Sequence, residues 1–218
     1  MILLWPRLET QLRIHAPDLA SRLRPGASEA ELEAYEAEIG WRLPDDLRTS
    51  YLRHGGCDYP YRQDGAFPSQ ALLGELQWMP VGESLEEWCS RDTAVNEGGP
   101  GPYFFGGEED TSSWSGMRIR PWQAQPGSWI PVGRLLNFSD RLYVDMPPTP
   151  EGFIGQLIFE RLASERRVES TSWGVYLLAL TEGLEQGLIK MVDDKSTMHA
   201  RWCSVATGEP FVAPGFGA

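Results

Sequence analysis

Two mixed pairs, His54-x-x-Cys57 and His199-x-x-x-Cys203, carry the ligand types of a zinc site. Zinc needs four ligands converging on one tetrahedral point, usually from closely spaced pairs. Each pair here mixes His with Cys, and the two lie far apart in the chain. The plainer expectation is a helix-end histidine and two ordinary buried thiols, so no metal is expected. Ser113-Trp114-Ser115-Gly116 has part of the pattern of a nucleophile elbow but lacks the Gly two residues before the candidate Ser. His15 falls near an apolar helical stripe, which suits packing or surface better than general-base work. No Cys has a His at a spacing that marks a thiol nucleophile. Glu108-Glu109-Asp110 offers carboxylates to a hard cation but lacks the alternating spacing of an EF-hand loop. No P-loop and no Gly-x-Gly-x-x-Gly occurs, so no nucleotide cofactor is indicated. These residues predict no enzyme, no catalytic set and no cofactor.

Charge points to a partner class instead. The 218 residues carry a net charge of −12. Nucleic acid and anionic membrane both require a basic face, so neither is an expected partner. The acidity is local: residues 54–117 hold eleven acids against two bases, whereas the flanking stretches are close to neutral. Three cysteines, Cys57, Cys89 and Cys203, are an odd number without tight spacing, which argues for reduced thiols rather than a disulfide framework. The apolar start Met1-Ile-Leu-Leu-Trp-Pro is too short for a signal segment, and no run reaches the roughly 20 residues of a membrane span. A cytoplasmic location is the expectation.

The elements that must position such residues are helical at the start. Leu8, Leu12, Ala16, Leu19 and Leu23 form one apolar stripe. Pro25-Gly26 breaks it. Ser28-x-x-Glu31 is a capping box opening a second helix with Leu32, Tyr35 and Ile39 on its face, and Gly40 stands at its C-cap. Pro44 suits the first helical position of a third helix, with Asp45 and Asp46 at the positive end of its dipole. Trp78–Val81 predicts a strand and residues 84–95 a short helix. Residues 96–116 are rich in Gly, Pro, Ser and acid. Strands follow at Trp129–Gly133, Arg141–Asp145 and Gly155–Glu160. Ser172 then caps a helix carrying Trp173, Tyr176, Leu177, Leu180 and Leu184, with Gly187 just past its end. Met198–Val212 predicts a hairpin around Thr207-Gly208. No repeat and no linker divides the chain, so one domain over residues 1–218 is expected.

Glu36-x-x-Ile39-Gly40-Trp41-x-Leu43-Pro44-x-Asp46-Leu47-Arg48, running on to His54-Gly55-Gly56, resembles the opening signature of the SUKH superfamily (Smi/Knr-type domains). Trp129-Ile130-Pro131-Val132-Gly133, Leu142-Tyr143-Val144-Asp145, Gly155-Gln156-Leu157-Ile158 and the helix from Trp173 to Leu184 follow in the family's order. The resemblance covers roughly residues 5–190. It leaves the acidic Gly-rich loop at about 96–116 and a C-terminal extension at about 191–218 as departures. It implies an α+β fold: a mostly antiparallel sheet flanked by N-terminal and C-terminal helices. It also implies a binding role. Bacterial members are frequently immunity proteins that neutralise a cognate toxin acting in the cytosol, often a nuclease. Fungal members act as scaffolds in cell-wall signalling. The absence of long disordered flanks favours the immunity reading, with the wall-signalling scaffold or regulator as the alternative. The family supplies no catalytic residues.

The expected partner is therefore a protein, a cognate toxin of basic character that the acidic stretch would steer and hold. Tyr59, Tyr61, Tyr103, Phe104, Glu108, Glu109, Asp110 and Trp114 are the candidate contacts, the aromatics serving as buried anchors. The other reading of the same residues is that the aromatics fold back onto the core and the acids confer solubility.

Overall fold

The computed structural model describes residues 1, 3–58, 70–74, 76–96, 119, 127–135, 140–161, 165–194 and 199–211. Its N-terminal third is helical for local reasons. The stripe of Leu8, Leu12, Ala16 and Leu19 is buried as expected. It is carried by two helices, α1 (Leu4–His15) and α2 (Pro17–Ser21), because Pro17 has no N–H with which to continue the first ladder. In α3 (Glu29–Ile39) the Ser28 hydroxyl accepts the Glu31 N–H while the Glu31 carboxylate accepts the Ser28 N–H. Gly40 ends this helix at φ 72°, the left-handed turn that a side chain resists. Pro44 stands at the N-cap of α4 (Asp45–Arg53) and not within its first turn.

The residues between α3 and α4 form a lock. The Leu43 N–H donates to Glu36 Oε1 at 2.9 Å, and Arg48 reaches both Glu36 and Glu29. In the first turn of α4, the Asp46 carboxylate accepts the N–H of Gly174, 128 residues away, at 2.7 Å. That bond places the start of α4 against the first turn of α6 (Trp173–Glu185), which Ser172 also caps through the Val175 N–H.

Five strands form one antiparallel sheet in chain order: β1 (Gln77–Trp78), β2 (Trp129–Arg134), β3 (Arg141–Asp145), β4 (Gln156–Arg161) and β5 (Glu165–Ser170). With α1, α4 and α6 packed beside it, this is the expected α+β architecture. β1 is shorter than the sequence suggests, since Pro80 cannot donate to a ladder and the chain turns there into α5 (Val81–Asn96). The pleat sends alternate side chains to opposite faces. Leu142, Val144, Leu157 and Phe159 join the large core under the helices; Tyr143, Ile158 and Val168 join Trp129 and Ile119 in a smaller cluster on the other face.

A two-stranded hairpin, β6 (Ile189–Asp194) and β7 (His199–Ser204), forms a separate sheet. The turn at Thr207-Gly208 exists, and among the described residues it closes a single bridge, Cys203 to Pro210. The main partner of β7 lies before it in the chain. Trp202 of β7 is fully buried in the large core. Among the described residues no helix is long and apolar enough to cross a membrane.

Candidate binding site

The eight contacts expected from sequence, Tyr59, Tyr61, Tyr103, Phe104, Glu108, Glu109, Asp110 and Trp114, lie outside the described residues, as does Ser113-Trp114-Ser115-Gly116. The zinc candidates fare differently. His54 lies with Nε2 3.1 Å from Glu9 Oε1 and Nδ1 3.2 Å from the Arg24 carbonyl oxygen, so it is committed to a polar network at the end of α4. Cys57 is buried, and burial pushes its thiol up to about 12. Among the described residues no group of three or more His, Cys, Asp or Glu could hold a metal ion. His15 is exposed.

The concave site that the described elements do build lies where the helix-bearing face of the sheet meets the C-terminal hairpin. It is a cleft of about 200 Å³, below the roughly 300–1,000 Å³ of small-molecule pockets. The sheet contributes Arg161, Arg167 and Glu169 beside Phe159, and the hairpin contributes Arg201 and Trp202. Strand alternation puts Phe159, Arg161, Arg167 and Glu169 on one face. The Arg167 guanidinium lies over the Phe159 ring, 4.3 Å from its centroid, and donates through Nε to Glu169 Oε2 at 3.0 Å. The ring orients the guanidinium, a favourable cation–π arrangement.

Tyr176 of α6 closes the inner wall. Its ring meets Phe211 edge-on at 5.9 Å. Burial, with the nearby Glu169 carboxylate, pushes its hydroxyl well above the ordinary phenol value, so it remains neutral and serves as a hydrogen-bonding group rather than a base. Trp202 is fully buried in the same wall, and its indole N–H has no hydrogen-bond acceptor. Phe211 also lines a second, shallower groove of about 370 Å³ on the far side, with Val175, Leu178, Leu188 and Ile189. Val175, Leu178 and Leu188 are exposed there. An arginine-lined cleft and an apolar groove thus both border Phe211. Among the described residues that line the cleft, no nucleophile stands beside a base.

Sequence reasoning missed this site. Its arginines lie up to forty positions apart, on β4, β5 and β7, and β5 has no apolar alternation to mark it as a strand. The one available signal was the run Arg166-Arg167-Val168-Glu169, whose successive residues face opposite sides.

Comparison with known proteins bears on what the site serves. The family model described as the SMI1/KNR4 family (SUKH-1) matches residues 26–179. A glucan synthesis regulatory protein of Neurospora crassa is 24% identical over 233 aligned positions, which cover 94% of this chain and 42% of that protein. A cell wall biosynthesis/cell cycle regulator, smi1, of Schizosaccharomyces pombe is 25% identical over 205 positions, 89% of this chain and 38% of that protein. Human F-box only protein 3 is 44% identical over 52 positions, 24% of this chain and 11% of that protein. The chain spans less than half the length of the curated relatives it matches. These relatives overturn the expectation of a toxin-immunity protein. Those that align along most of the chain carry the names of fungal regulators of glucan synthesis and wall biosynthesis or of KNR4/SMI1 homologues. The physical reason for the error is plain in the fold: Glu36, Gly40, Leu43, Asp46 and Gly56, which carry the resemblance, hold the framework together and say nothing about the partner.

Proposed function

The chain belongs to the SMI1/KNR4 family (SUKH-1), and from that membership we propose that it is a non-catalytic regulatory domain that controls cell-wall polymer synthesis by binding other proteins. The observation that carries this reading is the alignment of 94% of the chain with a glucan synthesis regulatory protein. The alignment with a regulator of wall biosynthesis over 89% of the chain supports it from a second lineage. The surface agrees in kind. The cleft and groove on either side of Phe211 join fixed charge to apolar area, the combination by which protein segments are recognised. Chemical cross-linking of the tagged chain in its own cells, followed by mass spectrometry, tests the reading. Enrichment of proteins that synthesise or signal to the wall is expected. Partners confined to unrelated processes would overturn it.

A further inference from the structure

We propose, resting on the protein-binding reading and naming its partner's chemistry, that the groove between α3 and α5 is a docking site for a basic amphipathic helix of another protein. The helix would lay an apolar face between α3 and α5 and set Lys or Arg against their acidic rims. Two stripes form the walls. Glu31, Tyr35 and Glu38 follow one another at three- and four-residue steps along α3, with Ala34 beside them, and Val81 and Leu85 lie four residues apart on α5. Residues so spaced share one helix face. Between the stripes lies a groove of about 430 Å³. From Glu31 to Glu38 it runs about two helical turns.

The floor of the groove is fixed. Tyr35 is buried, and its O–H donates to Ser84 Oγ at 2.6 Å, because Ser84 gives its own hydrogen to the Pro131 carbonyl oxygen of β2. That relay ties α3 to α5 and α5 to the sheet, so the groove is formed before any partner arrives. Preorganisation of this kind reduces the ordering cost of binding. Gly82 keeps the α5 wall low: a Cβ there would meet nothing within 4 Å.

Charge selects the occupant. The helix α3 carries Glu29, Glu31, Glu33, Glu36 and Glu38 and no base. Arg48 matches Glu29 and Glu36, and Ser28 holds Glu31. Glu38, and Glu86 one turn beyond Gly82 on α5, are exposed and hold no ion pair or hydrogen bond among the described residues. No Lys, Arg or His stands among the described residues that line the groove. Half-buried Val81 and Leu85 supply the apolar strip between these rims. Such rims repel nucleic acid and anionic lipid and attract a cationic segment. An apolar strip of this length is what a helix with apolar residues at i, i+3, i+4 and i+7 fills. A small-molecule site would need polar groups converging on its floor, and the Tyr35 hydroxyl is already engaged by Ser84.

The test uses the purified full chain and a fluorescently labelled, amidated peptide, Lys-Leu-Ala-Arg-Leu-Leu-Ala-Lys-Leu-Ala-Arg, whose leucines recur at helical spacing. Two counterparts separate the causes: one has Glu at every Lys and Arg, the other has Ser at every Leu. Binding is read by anisotropy. Its place is read by the rate at which Cys89, which lines the groove, reacts with a disulfide-exchange reagent. The basic peptide is expected to bind saturably and to slow the Cys89 reaction as it saturates, and each counterpart to bind about tenfold or more weakly. Gly82→Leu fills the groove from open space and should weaken the basic peptide about tenfold while thermal unfolding stays cooperative. Glu38→Gln/Glu86→Gln should weaken it and slow its association. Glu33→Gln, a charge removed from the other flank of α3, should leave it unchanged. No saturable binding, equal binding of either counterpart, a Cys89 rate unaltered in the saturated complex, or binding that Gly82→Leu leaves intact would overturn the proposal. Self-association of the chain that Gly82→Leu abolishes, seen by sedimentation, would give the groove to a second copy and overturn it too. Because these are measurements on the isolated chain, their failure would leave the wall-regulation reading to its own cellular test.

Discussion

Trp173 donates its indole N–H to the Ser50 hydroxyl at 2.8 Å, joining α6 to α4 across 123 residues of chain. Trp5 of α1 donates to the same oxygen at 3.0 Å, and the Ser50 O–H donates in turn to the Asp46 carbonyl oxygen at 2.8 Å. One fully buried hydroxyl therefore satisfies two fully buried indoles and ties three helices together. Trp78 fills the space between them, its ring 5.6 Å from Trp5 and 5.1 Å from Trp173.

Ser50→Ala removes the shared acceptor and leaves both N–H groups in a dry interior. Each unsatisfied donor costs about 1–3 kcal/mol, so the variant is expected to lose about 2–5 kcal/mol in denaturant unfolding. A loss near zero would show that the hydroxyl is dispensable to the helix junction.

Glu9 is one carboxylate through which the fold should sense acid. Burial would raise its pKa, but hydrogen bonds from Arg53 and His54 outweigh that and hold the carboxyl below its ordinary value. Arg53 Nε donates to Oε1 at 2.8 Å, and Arg13 reaches Oε2 at 3.2 Å. A depressed carboxylate pKa stabilises the folded state above the unfolded value and loses that contribution as pH falls through the folded one. Stability should therefore decline below the ordinary carboxylate range. Glu9→Gln should flatten that acid limb and cost about 1–3 kcal/mol at neutral pH, measured as denaturant midpoints across pH.

Gly56 has φ 104°, and a Cβ there would meet the Pro80 Cα at 2.6 Å and the Met79 carbonyl oxygen at 2.8 Å. Both the backbone angle and the contact exclude a side chain. Gly56→Ala should lose about 2–4 kcal/mol, combining left-handed strain with overpacking against rigid backbone. Calorimetry showing an unchanged melting temperature would contradict this close approach.

The three thiols should separate by access. Cys57 and Cys203 are buried, and Cys89 is partly exposed. A disulfide-exchange reagent should modify Cys89 in the native chain and the other two only on unfolding, because reaction requires an accessible thiolate. Rapid native modification of Cys57 would mean that the corner of α2, α4 and β1 opens.

Elements whose local chemistry and burial agree were legible in the sequence. The capping box at Ser28, the left-handed Gly40 and the stripe of α6 each announce themselves within a few residues. β5 was hidden because Arg166 and Arg167 occupy opposite faces of a half-covered edge: Arg166 sits over Trp129 and Arg167 over Phe159, and only Val168 is apolar. β6 was hidden for a similar reason, its Lys190 and two Asp residues masking the pairing of Ile189 and Met191 with β7. The cleft takes Arg167 and Glu169 from β5, so its arginines could not be assembled from spacing. The immunity reading failed because the residues that carry the family resemblance hold the framework and do not distinguish its members' roles.

The most direct measurement of a wall-regulating role is the glucan content of a fission-yeast strain lacking its own smi1, complemented with this chain. The segment of the yeast regulator that aligns with the chain serves as the positive control, since the alignment covers 38% of that protein. The account predicts that the chain restores glucan toward the level given by the control segment. Glucan that stays at the uncomplemented level in cells holding the folded chain, while the control segment restores it, would contradict the account.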